Sequence, residues 1–185
     1  MNCDFLNPVR VISGKNAIIN DASELIKYGD RCLIVSSGSA AVKSGALDDV
    51  ITELEKEKIE YSVYNKITEN PRTADCFEAG KNAREFGAKF IIGIGGGSPL
   101  DAAKAVAVYA TNPQISSPDL IYSESVENKP LPVILVGTSA GTGSEVTKVS
   151  VLTDGNGKKK SVKGEKYYAC LVFADSKYTY SLYPY

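Results

Sequence analysis

The sequence predicts an α/β fold in which helices cover both faces of a parallel sheet, followed by a C-terminal β-hairpin region. Short apolar runs alternate with amphipathic stretches along most of the chain, as in successive strand-helix-strand units. Two glycine-rich segments directly follow apolar runs, at the ends of the predicted strands where such sheets bind ligands. There is no internal repeat and no interior boundary, so residues 1–185 form one predicted domain.

Each apolar run has the length of a strand and is rich in β-branched or aromatic residues. The predicted strands are residues 9–12, 32–35, 61–64, 90–94 and 132–136. The predicted helices are the clearest amphipathic stretches, residues 46–58 and 73–86. In the first helix Val50 and Leu54 belong to the buried stripe, whereas Asp49 and Glu53 belong to a charged face that we expect to be solvated.

The last part of the chain changes to short alternating segments. Residues 149–153 and 158–163 flank an Asn156-Gly157 turn, which is a strong short-range signal for a β-hairpin. A further apolar run, CLVFA, follows at residues 170–174.

Composition excludes several classes of function. The net charge of the 185 residues is −1 and both signs are spread along the chain, so we expect no binding to nucleic acid. No apolar run reaches the roughly 20 residues that span a bilayer, and the N-terminus lacks a signal-peptide layout. We therefore expect no membrane association, a cytoplasmic location and a small-molecule partner. The cysteines are too far apart in sequence to form zinc-binding pairs, and we expect them to be reduced and mostly packed: Cys3, Cys32, Cys76 and Cys170.

The sequence contains no histidine. Serine and cysteine triads, imidazole bases and most catalytic zinc or iron sites depend on that side chain. The carboxylates and thiols also lack metal-site spacing, so we expect this chain by itself to bind no metal.

The segment GIGGGSPLDAAK, which starts at Gly93, places a glycine-rich turn between a strand and a helix. Three consecutive residues without Cβ let the backbone approach a ligand, and the helix start offers free N–H groups to a pyrophosphate. Helix capping is the alternative, with Ser98 as N-cap, Pro99 at the first helical position and Asp101 closing a capping box. Capping does not account for three glycines in a row. The segment also differs from the common dinucleotide fingerprint, because Ser98 stands at the third glycine position and the strand comes late in the chain.

The segment TSAGTGSEVT, which starts at Thr138, again follows a buried strand. Its backbone N–H groups and hydroxyls can both reach a ligand lying across the strand ends, so the two segments together predict one bipartite site. A flexible loop rich in turn-forming residues is the alternative.

Together the two segments resemble the iron-containing, group III alcohol dehydrogenases, which carry GGGSPxDxAK and P-T-[ST]-AGTGSEVT at about this separation. The resemblance extends from Val9 to Leu182 and includes SGALDDV at residues 44–50 and VLTD at residues 151–154. It implies a Rossmann-like, NAD(P)-binding domain of an oxidoreductase that transfers a hydride to or from a small alcohol or aldehyde. Dehydroquinate synthases share the triple glycine but follow it with D-x-x-G-F, where this chain reads DAAKAV.

The resemblance also implies a role for individual residues. It places the cofactor pyrophosphate on Gly95, Gly96, Gly97 and Ser98. It places the phosphates on the nicotinamide side against Thr138, Ser139 and Thr142. Asp101 would lie near the nicotinamide or the substrate, and Lys160 would reach the ribose.

The chain departs from the family at three places. Many members have an aspartate after the second strand that binds the adenosine ribose, whereas this chain has Ser36-Ser37-Gly38-Ser39. Ser37 and Gly38 would then lie beside the ribose without repelling a 2′-phosphate, so we expect NADP binding, or indifference between NADP and NAD. Gly137 replaces a usual proline, and residues 163–169 lack the usual proline-containing linker near Lys160.

In this family a second, all-helical domain supplies one aspartate and three histidines to the metal. The present chain ends at Tyr185, where that domain would begin, which implies that iron or zinc belongs only to the full-length family enzyme. We therefore expect a dinucleotide-binding domain that has no turnover alone. A stand-alone, non-catalytic nucleotide-binding module or truncated pseudoenzyme is the alternative.

The C-terminal end is rich in tyrosine, which suits an interface because the ring is buried while the hydroxyl stays wet. We expect self-association into a homo-oligomer through these residues and through the extended N-terminal segment, whose edge is unpaired. The apolar residues at this end are Tyr178, Tyr180, Leu182, Tyr183 and Tyr185.

Overall fold

A computed structural model describes residues 6–123 and 126–180. The strands are β1 (Arg10–Ser13), β2 (Arg31–Ser36), β3 (Glu60–Tyr64), β4 (Phe90–Gly95), β5 (Val133–Gly137), β6 (Val149–Thr153), β7 (Lys159–Lys163) and β8 (Leu171–Ala174). Six of them form the main sheet, all parallel, in the order β1-β8-β5-β4-β2-β3, and β6 and β7 form a separate antiparallel pair. The α-helices are α1 (Ala17–Asp21), α2 (Ala40–Lys43), α3 (Ala46–Lys56), α4 (Thr73–Phe86) and α5 (Gly97–Thr111).

The predicted Rossmann-like architecture is confirmed, with an apolar layer on each face of the sheet. Alternate residues of β4 point to opposite layers: Ile91 packs with α4 and α5, whereas Phe90 and Ile92 pack with α1 and α3. All six residues of β4 are buried, as expected for a central strand covered on both faces. On one face α4 and α5 lie so close that a Cβ at Gly80 would be 2.4 Å from the Cβ of Tyr109.

The first predicted helix differs from the prediction in two respects. It ends at Lys56, because Lys58 takes a left-handed conformation with φ of 58°. Glu53 is only 5% exposed and forms an ion pair with Lys56 at 2.7 Å, so the prediction that Glu53 is solvated was wrong. The Glu53 carboxylate can be buried here because the flexible side chain of Lys56 brings a positive charge to it.

The predicted hairpin is confirmed, with β6 and β7 paired from Val149 opposite Lys163 to Thr153 opposite Lys159. Gly157 takes φ of 78° at the turn, a conformation that suits glycine. The following apolar run forms β8, which inserts between β1 and β5 instead of extending the hairpin.

The expectation that Tyr178 contributes to an exposed tyrosine cluster was wrong. Tyr178 is fully buried, and its hydroxyl donates a hydrogen bond to the Asp49 carboxylate at 2.9 Å. Tyr180 is 78% exposed, and the rest of the predicted cluster, residues 181–185, lies outside the described residues. The helical turn Ser176–Thr179 after β8 therefore folds back on α3.

Cys32 and Cys76 are buried free thiols and Cys170 is an exposed one, which agrees with cysteines that are mostly packed; Cys3 lies outside the described residues. Within residues 6–123 and 126–180, no helix is long and apolar enough to cross a membrane.

Candidate nucleotide-binding site

The two glycine-rich segments meet at the carboxyl edge of the sheet. The last residues of β4 and β5, Gly95 and Gly137, are paired in register, and the Thr138 N–H donates to the Gly95 carbonyl at 2.9 Å. Parallel pairing of neighbouring strands thus brings together segments that are more than forty residues apart in sequence. This is the place where open α/β sheets bind their ligands.

Two of the three consecutive glycines are also required by contacts within the protein. A Cβ at Gly95 would lie 2.6 Å from Cγ of Pro99, and a Cβ at Gly97 would lie 2.8 Å from Cγ2 of Thr142. Gly95 also has φ of +142°, which other residues rarely adopt. A Cβ at Gly96 would meet only the side chain of Ser139, whose hydroxyl oxygen would lie 3.1 Å away. Gly96 is therefore the member of the triplet with the loosest internal packing.

The helix-capping alternative was wrong. Helix α5 begins at Gly97 with Gly96 as its N-cap, and no side chain caps it. Ser98 lies inside the first turn, where its hydroxyl accepts a hydrogen bond from the Asn70 N–H at 3.2 Å. The positive end of the helix dipole is therefore not met by a side-chain cap.

A cleft of about 420 Å³ opens beside this helix start, within the size range of small-molecule sites. One wall is the first turn of α5, and the other is formed by the second glycine-rich segment and by β6. Four of the residues predicted from sequence line it: Gly97, Ser98, Asp101 and Thr142. Ser144 and Thr147 of the predicted TSAGTGSEVT segment also line it, and sequence reasoning missed three further polar residues of the lining: Asn70, Thr153 and Lys159.

Asp101 ties the two walls of the cleft together. One carboxylate oxygen accepts a hydrogen bond from the Ser144 hydroxyl, and the other accepts from the Val151 N–H at 2.9 Å. Burial raises the pKa of Asp101, against the lowering effects of these two bonds and of Lys104. Both carboxylate oxygens are therefore engaged within the protein, in the wall of the cleft.

Lys104, on the next turn of α5, has a fully buried side chain. Its ammonium donates to the backbone carbonyls of Ser144, Thr147 and Val149 at 2.6, 3.0 and 2.8 Å. The sequence carried a signal for this residue, since Lys104 is the one charged side chain in the small apolar run that follows Asp101.

The structure places Lys160 outside the cleft. Its ammonium lies 2.8 Å from the Asp154 carboxylate and 5.2 Å from the ring centroid of Tyr122, and the ion pair raises its pKa. Neighbouring residues of a strand point to opposite faces, so Lys159 is the lysine of β7 that faces the cleft.

The remaining predicted residues lie along the same edge of the sheet. Thr138 is buried, whereas Ser139 lines a second cavity of about 250 Å³ between the ends of β5 and β8. Ser37 and Gly38 follow β2, next to β4 in the sheet, where Ser37 bridges to Lys66. A Cβ at Gly38 would meet no atom within 4 Å, so its surroundings are open.

No group of three or more His, Cys, Asp and Glu side chains that could hold a metal ion exists in the part of the chain that the structure describes. Because the whole sequence also lacks histidine, its residues do not fit a histidine-based iron site.

Comparison with known proteins agrees with this geometry. The family model for iron-containing alcohol dehydrogenase matches residues 8–176. A long-chain primary alcohol dehydrogenase of Thermoanaerobacter ethanolicus is 38% identical over 155 residues, which are 83% of this chain and 38% of that protein. The crystal structure of an iron-containing alcohol dehydrogenase of Thermotoga maritima superposes with a TM-score of 0.89 at 35% identity, covering 97% of this chain and 49% of that one.

A further similar structure is the sulfoacetaldehyde reductase of Bifidobacterium kashiwanohense in complex with NAD+, with a TM-score of 0.81 at 28% identity, covering 98% of this chain and 48% of that one. The present chain therefore spans less than half the length of each of these three proteins.

The fold, and the two loops that follow the paired strands β4 and β5, define a Rossmann-like α/β domain whose carboxyl edge is of the nucleotide-binding type. The chain belongs to the iron-containing alcohol dehydrogenase family and covers the N-terminal, dinucleotide-binding part of that fold.

Proposed function

We propose that this chain binds NAD(H) or NADP(H) at the carboxyl edge of its sheet and acts as the cofactor-binding part of an alcohol or aldehyde oxidoreductase. The observation that carries the proposal is the pairing of Gly95 with Gly137, which joins an uncapped helix start to a hydroxyl-rich loop. That combination offers N–H and O–H donors to a pyrophosphate from two sides. Family membership supports the same assignment.

Bound at this edge, the cofactor supplies hydride transfer to or from a small alcohol or aldehyde. The residues of the chain would bind and orient it: the first turn of α5 would face its pyrophosphate, and the hydroxyls of Ser98 and Thr142 would donate to phosphate oxygens. Asp101 fixes the wall of the cleft against which the nicotinamide would lie. In the cleft, Lys159 takes the ribose-side position that the family resemblance gave to Lys160.

The second candidate function is a nucleotide-binding module without catalysis. It is favoured by the absence of histidine, which removes the side chain that most catalytic iron and zinc sites use. NAD(P)H formation from a panel of primary alcohols, measured with the purified chain in iron- or zinc-containing buffer, can exclude the non-catalytic module if turnover is seen. Binding without turnover is expected of both candidates, and a neighbouring reading frame that encodes a histidine-rich helical domain would favour the first.

Titration of the purified chain with NADH and NADPH, followed by the fluorescence of the reduced nicotinamide, tests the shared part of both proposals. We expect saturable binding in the micromolar range. No saturation up to roughly 1 mM of either nucleotide, equivalent to a binding free energy weaker than about −4 kcal/mol, would refute a dinucleotide site.

A further inference from the structure

Lys104 is a buried cation that has no direct role in the proposed binding of a nucleotide. Its side chain is fully buried on α5, between the helix and the chain that leads into β6. Burying an ammonium group is costly unless each of its donors is bonded. A methionine of similar length would fill the same space without that cost, so retention of the charge requires another explanation.

The hydrogen bonds of Lys104 match an ammonium group closely. A charged lysine has three N–H donors, and three backbone carbonyls accept them at 2.6 to 3.0 Å. These carbonyls belong to Ser144, Thr147 and Val149, which all line the cleft of about 420 Å³. The opposite wall of the cleft is the first turn of α5, the helix that carries Lys104.

We propose that Lys104 is a positioning residue that sets the width of the nucleotide cleft by holding these three carbonyls against α5, and that loss of its proton weakens nucleotide binding. The inference rests on the proposed function, because it concerns the same cleft. Lys104 touches neither the cofactor nor the substrate, and acts through the loop.

The protonation state follows from the groups around Lys104. Burial lowers its pKa to about 8, while the carboxylates of Asp101 on its own helix and Glu145 on the packed loop oppose the shift. Burial raises the pKa of Cys76, on neighbouring α4, so that thiol stays neutral in the same pH range. Below pH 8 three donors serve three carbonyls. Above it the neutral amine has two donors, and one carbonyl is released.

The effect on stability has the opposite sign. The folded-state pKa lies below the ordinary value of 10.5, so between about pH 8 and 10.5 the unfolded chain binds more protons than the folded chain. The contribution of Lys104 to the free energy of unfolding therefore rises through that window, while nucleotide affinity falls. A residue with a purely structural role would not move the two measurements in opposite directions.

The test is titration of the 185-residue chain with NADH at pH 7, 8 and 9, for the parent and for Lys104→Met, with urea unfolding of each protein at the same pH values. We expect the parent to lose roughly fivefold to tenfold in affinity from pH 7 to 9. Lys104→Met should bind about tenfold more weakly at pH 7 and show a flat profile. Lys89→Met, which removes an exposed lysine at the opposite edge of the sheet, is the matched control and should behave as the parent.

Glu145→Gln provides a second measurement that keeps the lysine and its carbonyl partners. Removing that carboxylate lowers the pKa of Lys104 further, so the alkaline loss of affinity should move to lower pH. The proposal is overturned if Lys104→Met binds NADH as the parent does, if it keeps the pH-dependent loss, or if Glu145→Gln leaves the midpoint unchanged. A parent chain that binds neither NADH nor NADPH at any pH would instead refute the proposed function.

Discussion

At the scale of single residues, Gly96 is the position where the ligand and the fold can be separated. Gly96→Val places its Cβ 3.1 Å from the Ser139 hydroxyl, which can rotate away, whereas Gly97→Val presses on Thr142 at 2.8 Å. We expect Gly96→Val to weaken NADH binding at least tenfold, about 1.4 kcal/mol, with a nearly unchanged urea midpoint. Gly97→Val should lose both stability and binding. Unchanged affinity in Gly96→Val would show that the backbone at Gly96 does not approach the pyrophosphate.

Cofactor choice is also decided by a few residues. In the family resemblance Ser37 stands where an acidic side chain would bind the adenosine ribose and repel a 2′-phosphate, and the segment Ser36-Ser37-Gly38-Ser39 carries no acidic residue. We expect the parent to bind NADPH at least as tightly as NADH, and Ser37→Asp to shift the ratio of dissociation constants toward NADH by about tenfold. Ser117→Asp adds the same charge elsewhere and should leave the ratio unchanged. A parent preference for NADH of tenfold or more would contradict the assignment.

At the scale of elements, the short helical turn Ser176–Thr179 is held to α3 by Tyr178. Its hydroxyl donates to Asp49 at 2.9 Å, and Lys177 pairs with the same carboxylate at 2.8 Å. Tyr178→Phe should lower the free energy of unfolding by about 1 kcal/mol, and Tyr178→Ala by roughly 3–5 kcal/mol because a large buried ring is lost. Urea unfolding measures both changes, with exposed Tyr180→Phe as the neutral control. If Tyr178→Ala unfolds at the parent midpoint, the segment does not pack as described.

Tyr178 also changes how truncations of this chain are interpreted. Removing all residues after Ala174 deletes a core side chain, so lower association of such a variant would report unfolding. Single substitutions at exposed positions are therefore required to test self-association.

At the scale of the whole molecule, we predict self-association through the sheet edge. β1 is one of the two edge strands of the main sheet, the other being β3; it pairs with β8 on its inner side, and Val11 is 47% exposed. An open strand edge can pair with a second copy, and a charge on it disfavours that pairing. We expect light scattering to show dimers or larger species at micromolar concentration, and Val11→Lys to reduce them. Val42→Lys changes an equally exposed valine on α2 and is the control, and a monomeric parent at high concentration would contradict the prediction.

The sequence by itself determined the features that depend on neighbouring residues. Apolar runs located five of the six strands of the main sheet, the Asn156-Gly157 turn located the hairpin, and the order of strand, glycine and helix located both binding loops. Each of these patterns lies within about fifteen residues of chain, so local propensity and periodicity suffice to predict it.

Only the tertiary structure decided which side chains meet. Asp101 was compatible with a capping box in sequence, yet its partners Ser144 and Val151 lie 43 and 50 residues away. Lys159 faces the cleft and Lys160 does not, because the packing of the hairpin on α5 decides which face of β7 turns toward the cleft. The burial of Tyr178 likewise depends on α3, 129 residues earlier at Asp49. Such contacts are set by the packing of whole elements, because the free energy of burying apolar faces fixes their relative positions and the polar side chains then bond whatever lies opposite them.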